Sequence, residues 1–342
     1  MIRFFSFPKA LFALALAAAL PVSAGAQEVN LYTTREPGLI QPLLDAFTKD
    51  TKIKVNSIFI KDGLAERVRA EGTNSPADVL MTVDIGNLLD AVDLGVAQAV
   101  QSEALSAAIP AHLRDPKGEW FALSLRARLV YASKERVKDS VISYEALADP
   151  KWKRKVCIRS GQHPYNTALI AAHIVRHGVD KTEAWLRGVR ANLARKATGG
   201  DREVARDILG GICDIGVGNS YYVGLMRSGK GGPDQVKWAD AINVLLPTFE
   251  GGGTHVNISG AAVAKHAPNK ANAVKLLEYL VSNDAQAIYV RANFEYPVRP
   301  SAKSDPIIAA LGTLKTDTVD LRAVAKARKT ASELVDKVGF DN

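Results

Sequence analysis

The sequence predicts an α/β protein in which helices cover both faces of a mostly parallel β-sheet. Short apolar segments with the length of buried strands alternate several times with amphipathic segments of helical length. Polar or glycine-containing turns separate the two kinds of segment. Strands that alternate with helices at this spacing usually pair in parallel, because each helix carries the chain back to the same edge of the sheet.

The individual elements follow from this pattern in chain order. We expect strands at 29–32, 53–60, 78–83, 155–159, 241–246 and 258–264, and helices at 39–49, 64–71, 86–94, 167–177, 180–194, 201–209, 269–282 and 284–292. A turn at 293–298 and two further helices complete the chain.

A longer extended run, from Trp120 to Tyr131, contains Arg126 and Arg128. Two arginines are costly to bury without partners. The run is therefore predicted to cross between two lobes, with one arginine facing the cleft between them. An exposed edge strand is the alternative interpretation.

The stretch at 213–224 has the pattern of a binding site at a strand end. A short apolar strand is followed by a Gly-Asn-Ser turn, and a helix then begins with Tyr221 and Tyr222. Tyr165 occupies the equivalent place in another strand–loop–helix connection. In a parallel sheet both connections open at the same edge, where ligands bind. We therefore expect the three tyrosines to converge on one cleft.

Three phenols in a cleft have two chemical interpretations. A phenolate is a hard anionic oxygen ligand that suits a hard trivalent cation. A free phenol has a pKa near 10 and is neutral in water, but a bound ferric ion would deprotonate it. The other interpretation is that the rings stack on an organic or sugar ligand. The pattern of tyrosines leaves both open.

The first 26 residues differ from the rest of the chain. Arg3 and Lys9 precede an apolar run at 10–20, and Ala-Gly-Ala at 24–26 is a small-residue cleavage signal. This is the pattern of a cleavable secretory signal peptide, with Gln27 as the expected mature start. The run is too short to span a membrane, and no other segment approaches about 20 apolar residues. The mature protein is expected to be exported and soluble.

Composition and charge restrict the remaining classes. A chain of 342 residues with 47% hydrophobic and 23% charged residues is typical of one large or two ordinary globular domains. Without Arg3 and Lys9 the formal charge of +8 becomes +6, and the basic residues are interspersed with acidic ones, so nucleic-acid binding is not expected. Cys157 and Cys213 are predicted to form a disulfide worth about 2–4 kcal/mol.

Several catalytic and metal motifs are incomplete. His173 and His177 have the i, i+4 spacing of zinc ligands, but no Glu lies between them and no third ligand is obvious, so we expect a packing or surface role. Two further histidines, His163 and His255, lie in predicted loops and are weak candidates for cleft residues. A secreted hydrolase would need a nucleophile beside a base, and Ser220 lacks the flanking glycine of a nucleophile elbow. The sequence therefore predicts a binding protein rather than an enzyme.

Six segments, in order across nearly the whole mature chain, carry a family resemblance. They are VNLYTTR at 29–35, LSLRAR at 123–128, the segment 158–166 from Ile-Arg-Ser to Tyr-Asn, GNSYY at 218–222, HVNISG at 255–260 and NFEYP at 293–297. With these segments the chain resembles the periplasmic ferric-ion-binding proteins of bacterial iron ABC importers, the "bacterial transferrins". The paired tyrosine is the most specific of the matching features.

The resemblance implies a two-lobed, type II periplasmic-binding-protein fold that closes on its ligand at a hinge. After the signal peptide at 1–26, the first lobe would comprise 27–125 and return at 249–300, and the second lobe would comprise 126–248. The helices at 301–342 would pack mainly on the second lobe. The implied function is capture of ferric iron (Fe3+) in the periplasm and delivery to an inner-membrane ABC permease and its ATPase, by a monomer. The same fold binding a sugar, polyamine or small anion is the alternative.

The resemblance also implies roles for single residues. The family's iron-binding tyrosines correspond to Tyr165, Tyr221 and Tyr222. Its anion-binding arginine corresponds to Arg126, with Arg128 as the second choice, and carbonate, bicarbonate or a similar synergistic anion would complete the coordination of iron. One departure is Glu36, where many relatives have an iron-binding histidine or a histidine followed by tyrosine. Its carboxylate could hold the anion, bind iron or cap the following helix.

Overall fold

The computed structural model describes Met1 and residues 27–342, so the predicted signal peptide lies outside the described residues. The strands are β1 (Glu28–Thr33), β2 (Lys54–Phe59), β3 (Val79–Thr82), β4 (Ala97–Gln98), β5 (Phe121–Ser133), β6 (Val156–Cys157), β7 (Ile215–Asn219), β8 (Ile242–Leu245), β9 (Val256–Ala264) and β10 (Tyr296–Pro297). Within residues 27–342, none of the helices is long and apolar enough to cross a membrane.

The helices follow the strands in the expected alternation. They are α1 (Pro37–Thr51), α2 (Leu64–Glu71), α3 (Ile85–Asp93), α4 (Glu103–Ala108), α5 (Pro164–His177), α6 (Val179–Ala191), α7 (Asp201–Leu209), α8 (Ser220–Arg227), α9 (Pro233–Asp240), α10 (Lys270–Leu280), α11 (Asn283–Asn293), α12 (Pro306–Ala309), α13 (Leu321–Lys326) and α14 (Arg328–Val338). Short 3-10 helices are found at Gly72–Asn74, Ala111–Leu113, Glu145–Ala148 and Pro150–Trp152.

Strand β5 joins two sheets. The first sheet has the order β2-β1-β3-β9-β5, and the second continues from β5 to β7 and β6. All 13 residues of β5 are buried. The strand pairs with β9 as far as Ala127 and with β7 from Arg128 onward. The predicted crossing is therefore observed, and the edge-strand interpretation is wrong because neighbours pair with both edges of β5.

The α/β class is confirmed, and the strand pairing is more mixed than the sequence predicts. Pairing is parallel where β1 lies between β2 and β3 and where β6 lies beside β7. Strands β5 and β9 run antiparallel to their neighbours. These two strands carry the chain between sheets and do not belong to a β-α-β unit, so nothing forces them to be parallel. The sequence also predicts two final helices, whereas the structure has three, α12 to α14.

Each sheet packs its helices over an apolar core. Leu31, Phe47 and Leu276 lie in the core of the first sheet, and Leu169 and Val217 lie in the core of the second. Burial of such side chains contributes about 1.5–3 kcal/mol each. The two cores fix the sheets, and the sheets fix where the loops between them meet.

The second sheet also contains the predicted disulfide. Cys157 in β6 and Cys213, just before β7, are bonded, with 5.8 Å between their Cα atoms. This bond ties together the two adjacent parallel strands that lead into α5 and α8. Because β6 and β7 end at the same edge of the sheet, the first turns of α5 and α8 open side by side.

Candidate functional site

Five residues that the family resemblance singles out line one cleft, whereas Arg128, His163 and His255 are not part of its lining. The cleft has a volume of about 720 Å³, and its lining includes Glu36, Arg126, Tyr165, Tyr221 and Tyr222. One wall is formed by the first turns of α5 and α8 from the second sheet. The other wall is formed by loops of the first sheet. We call these the phenol wall (Tyr165, Tyr221 and Tyr222) and the charged wall (Arg35, Arg126 and Glu295).

The three side chains of the phenol wall lie close together. The Oη atoms of Tyr165 and Tyr221 are 3.0 Å apart and share a hydrogen bond. The rings of Tyr221 and Tyr222 are neighbours, with 4.2 Å between their centroids. The convergence expected from the two strand–loop–helix connections is therefore observed, and its cause is the parallel pairing of β6 with β7.

Burial favours the neutral form of two of these phenols, Tyr221 and Tyr222. Burial raises the pKa of Tyr221 well above its usual value, and the neighbouring Tyr165 and Tyr222 raise it further, whereas Arg126 across the cleft lowers it. Burial also raises the pKa of Tyr222. A ligand that needs the phenolate form must therefore displace a proton from these hydroxyls.

A buried ion pair holds the phenol wall from behind. The Arg128 Nη1 atom donates to Asp201 at 2.5 Å and to the Asn219 side chain at 3.1 Å, and Nη2 donates to the Asn166 side chain at 2.6 Å. The carboxylate of Asp201 also accepts from the backbone N–H of Asn219 at 2.9 Å. Asn166 follows Tyr165, and Asn219 precedes the helix that carries Tyr221. Arg128 is thus a positioning residue, with its guanidinium behind the cleft wall.

The charged wall contains a second buried ion pair. Arg35 Nη1 lies 2.8 Å from Glu295 Oε1, and the two residues are only 5% and 2% exposed. Ser124 Oγ donates to the same carboxylate, and Ser259 Oγ lies 3.3 Å from it. Burial favours the neutral form of Glu295, but Arg35 and Arg126 outweigh burial and hold the pKa of that carboxyl below its usual range.

The sequence pattern did not single out this pair. Arg35 and Glu295 are 260 residues apart in the chain. Each lies in a segment that carries the family resemblance, and that was the one available signal. No spacing rule could show that they meet, because their contact exists only after the return of the chain to the first sheet.

Arg126 lies on β5 in the first sheet, and its side chain lines the cleft. Its Nη2 atom donates to the carbonyl oxygen of Ile258 at 3.0 Å and to that of Val83. Its Nε atom is buried without a hydrogen-bond partner. A buried guanidinium N–H without an acceptor is costly, so an acceptor supplied by a ligand would be favourable here.

Glu36 lies at the rim of the cleft and is exposed. It occupies the N-cap position of α1, but its side chain makes no capping hydrogen bond. A cap through a side-chain hydrogen bond is therefore not observed, but an acid at this end of the helix is still favoured by the helix dipole, and all three alternatives for Glu36 stay open.

Two more basic residues line the cleft, and the two loop histidines lie elsewhere. Arg202 lies over the ring of Tyr222 at 5.7 Å, and Lys230 lies over the ring of Phe294 at 4.7 Å; all four residues line the cleft. His163 is the N-cap of α5, and its Nδ1 atom accepts from the backbone N–H of Tyr165. His255 is buried, 3% exposed, at the start of β9.

The fold and the cleft together define a solute-binding protein of the type II periplasmic class, in which a ligand is held between two sheets joined by crossing strands. The family model described as "Bacterial extracellular solute-binding protein" matches residues 74–314, and the chain belongs to this family.

Within that family, the chain is similar to ferric-ion-binding members. It is 42% identical to the Synechocystis "Iron uptake protein A1" over 92% of this chain and 88% of the relative. The Bordetella ferric binding protein shares 67% identity with a TM-score of 0.89, over 92% of this chain and 100% of that one. A Trichodesmium protein solved "in complex with iron and citrate ligands" shares 42% identity with a TM-score of 0.87, over 92% and 99% of the two chains.

These relatives confirm the family resemblance that the six sequence segments indicate. They are named as binding or uptake proteins, and none of the three is named as an enzyme.

Proposed function

We propose that this protein is a periplasmic carrier that binds ferric iron in the cleft and delivers it to an inner-membrane ABC permease with its ATPase. The observation that carries the proposal is the convergence of the side chains of Tyr165, Tyr221 and Tyr222 on one cleft. The names of the relatives support the same cargo, since proteins at 42% and 67% identity are named for iron uptake and ferric binding.

The charge of the cargo follows from the phenol wall. Three phenolates carry three negative charges, which balance the charge of one ferric ion. The hydroxyls of Tyr221 and Tyr222 are neutral in the ligand-free cleft because burial raises their pKa values. Binding of iron therefore releases protons, and acidification favours release of the metal because protons compete for the same oxygens.

A synergistic anion, carbonate, bicarbonate or a similar oxyanion, completes the site from the charged wall. The planar guanidinium of Arg126 can hold such an anion with two parallel hydrogen bonds. Its buried, unpartnered Nε atom supports this role, since the anion would supply the missing acceptor. Glu36 contributes at the rim, next to the anion or as a further oxygen ligand.

An absorption experiment tests the proposal. The mature protein is stripped of metal and then given ferric citrate at neutral pH, with and without bicarbonate. We expect a visible tyrosinate-to-iron charge-transfer band, and Tyr222→Phe should weaken iron binding by about 100-fold or more because a direct ligand is lost. Tyr279→Phe is the matched control, since the Tyr279 hydroxyl donates to Asp50 on the surface of the first sheet.

The outcomes are distinct. Absence of the band, or unchanged iron affinity in Tyr222→Phe, would contradict the proposal. Calorimetric binding of a sugar or polyamine in place of iron would support the organic-solute alternative instead.

A further inference from the structure

A second cluster of ligating side chains lies outside the cleft. Among the residues that the structure describes, one group of His, Cys, Asp or Glu side chains is arranged to share a metal ion. It consists of Glu145, His173 and His177, whose ligand atoms lie within 4.8 Å of one another. His173 and His177 are one turn apart on α5, and Glu145 approaches from the 3-10 helix Glu145–Ala148. The structure thus supplies the third ligand that the sequence pattern lacked.

His173 has a free nitrogen lone pair in the protein interior. Its Nδ1 atom lies 2.8 Å from the Thr182 hydroxyl oxygen, and that hydroxyl donates its proton to the Gly178 carbonyl at 2.7 Å. With the hydroxyl proton on the Gly178 carbonyl, Nδ1 is the donor to Thr182 and Nε2 is left as an acceptor. Nε2 is buried and has no hydrogen-bond partner among the residues that the structure describes, and the whole residue is 2% exposed. A buried acceptor without a donor is unfavourable until a ligand satisfies it.

The other two side chains are also oriented by neighbours. His177 Nε2 lies 2.8 Å from Glu145 Oε1, and the two histidine rings are 4.5 Å apart. The Glu145 carboxylate accepts from the backbone N–H of Glu250 at 3.2 Å. Trp185 stacks on the ring of His173 at 4.4 Å. Hydrogen bonds from outer groups to the ligating side chains are typical of metal sites in proteins.

We propose that Glu145, His173 and His177 bind a divalent transition-metal ion of the zinc type, separately from the cleft. Two imidazoles and one carboxylate form a singly negative N2O ligand set that suits zinc and its first-row neighbours. In a tetrahedral zinc site with bonds of about 2.0–2.1 Å, ligand atoms lie about 3.3 Å apart, and the ligand atoms of this cluster already lie within 4.8 Å of one another without a metal. Glu145 and His177 are half-buried, so water can fill the fourth position.

The end of α5 favours a cation at this place. His177 is the last residue of the helix, where the helix dipole stabilises positive charge. Tyr165 lies in the first turn of the same helix, about 18 Å away along its axis. A metal bound at one end therefore does not occupy the site at the other, and the two sites can be tested independently.

Cobalt(II) titration of the metal-free protein tests the proposal, because Co2+ in a zinc-type site absorbs visible light. We expect one Co2+ per chain, displaced by Zn2+, and a rise in melting temperature with Zn2+ because the metal binds only the folded state. His177→Gln and Glu145→Gln should each weaken binding by about 100-fold, and Thr182→Val by about 10-fold through loss of the partner of His173.

Two control variants separate this site from the cleft and from surface histidines. His266 is exposed on the first sheet, so His266→Gln should bind Co2+ as the wild type does. Tyr222→Phe should also keep the Co2+ spectrum. The proposal is overturned if the wild type gives no Co2+ band, if the band persists in His177→Gln and Glu145→Gln, or if Tyr222→Phe abolishes it. None of these outcomes depends on whether the cleft binds iron.

Discussion

The two walls of the cleft differ in the charge of the side chains that form them. In the phenol wall, burial raises the pKa values of Tyr221 and Tyr222 and so favours their neutral hydroxyls. The charged wall contains full charges, but Arg35 and Glu295 are buried and already neutralise each other. A wall of neutral oxygens can become negative when a cation arrives, whereas a wall of paired charges can offer only its spare donors. In the proposed function, the cation therefore belongs to the phenol wall and the anion to the charged wall.

The phenol wall also depends on charge, but that charge lies behind it. Arg128 and Asp201 form an ion pair that is nearly inaccessible to solvent, and Asn166 and Asn219 link it to the helices that carry the phenols. One buried ion pair, Arg35–Glu295, is thus part of the charged wall, and the other, Arg128–Asp201, supports the phenol wall. Breaking one pair should therefore affect the cleft differently from breaking the other.

The largest effect is expected from Arg128→Met. The substitution leaves Asp201 buried beside the more distant Arg159, 3.4 Å away, and breaking a buried pair in this way costs about 4 kcal/mol of unfolding free energy. Iron affinity should fall by about 10-fold or more because the phenol helices lose a shared anchor. Urea denaturation and the charge-transfer band measure the two effects.

A matched control is Arg187→Met. Arg187 forms an exposed i, i+4 pair with Glu183, so its removal should cost no more than about 0.5 kcal/mol and leave iron affinity unchanged. Equal destabilisation by the two substitutions would contradict the role assigned to Arg128.

Glu295→Gln should affect the two properties in opposite directions. It leaves the positive charges of Arg35 and Arg126 without a carboxylate, which should lower the unfolding free energy by about 3 kcal/mol. The same excess charge should strengthen anion binding in the cleft, measured by calorimetry of the metal-free protein with bicarbonate or citrate. Weaker anion binding in the folded variant would show that the charged wall does not act as the anion side.

The pH dependence of stability tests the burial of His255. Burial lowers the pKa of His255 to about 4, although Asp317 opposes the effect. Because the unfolded histidine titrates near 6.5, His255 contributes stability that is fully present above that pH and is lost as the pH falls toward 4. The loss is about 2 kcal/mol at pH 5.

Urea unfolding of the metal-free protein between pH 7 and pH 5 measures this loss. His255→Gln should reduce the change by about the same 2 kcal/mol, whereas the exposed His266→Gln should leave it unaltered. An identical pH profile in wild type and His255→Gln would refute the assignment.

The smallest effect is expected from Glu36→Gln. The residue is exposed and makes no capping hydrogen bond, so unfolding free energy should change by less than about 0.5 kcal/mol. If the carboxylate is an iron ligand, iron affinity falls even at saturating bicarbonate. If it belongs to the anion site, the bicarbonate concentration needed for full iron binding shifts instead. An unchanged result in both titrations would remove Glu36 from the site.

The local sequence pattern was sufficient to predict several features of the fold and of the cleft. The placement of Tyr165 and Tyr221 at strand–helix connections predicted their meeting, because parallel strands open at one edge. The long strand through Arg126 and the disulfide between Cys157 and Cys213 are also confirmed. The spacing of these residues did not identify iron as the ligand; only the family resemblance indicated iron.

Periodicity could not separate Arg126 from Arg128. Residues two apart on a strand share a face, so both arginines have the same pattern. The strand passes from the first sheet to the second between them, and Arg126 therefore contacts Ile258 whereas Arg128 contacts Asp201. Only the crossing of the chain decided which arginine reaches the cleft.

The sequence by itself determined the elements and the cleft side of the phenols, because both depend on neighbours within a few residues. The tertiary structure decided which distant side chains complete each site. Glu295 meets Arg35 across 260 residues, and Glu145 meets His177 across 32. Such contacts leave no periodic trace, since they arise from the packing of separate elements, and packing is a property of the whole fold.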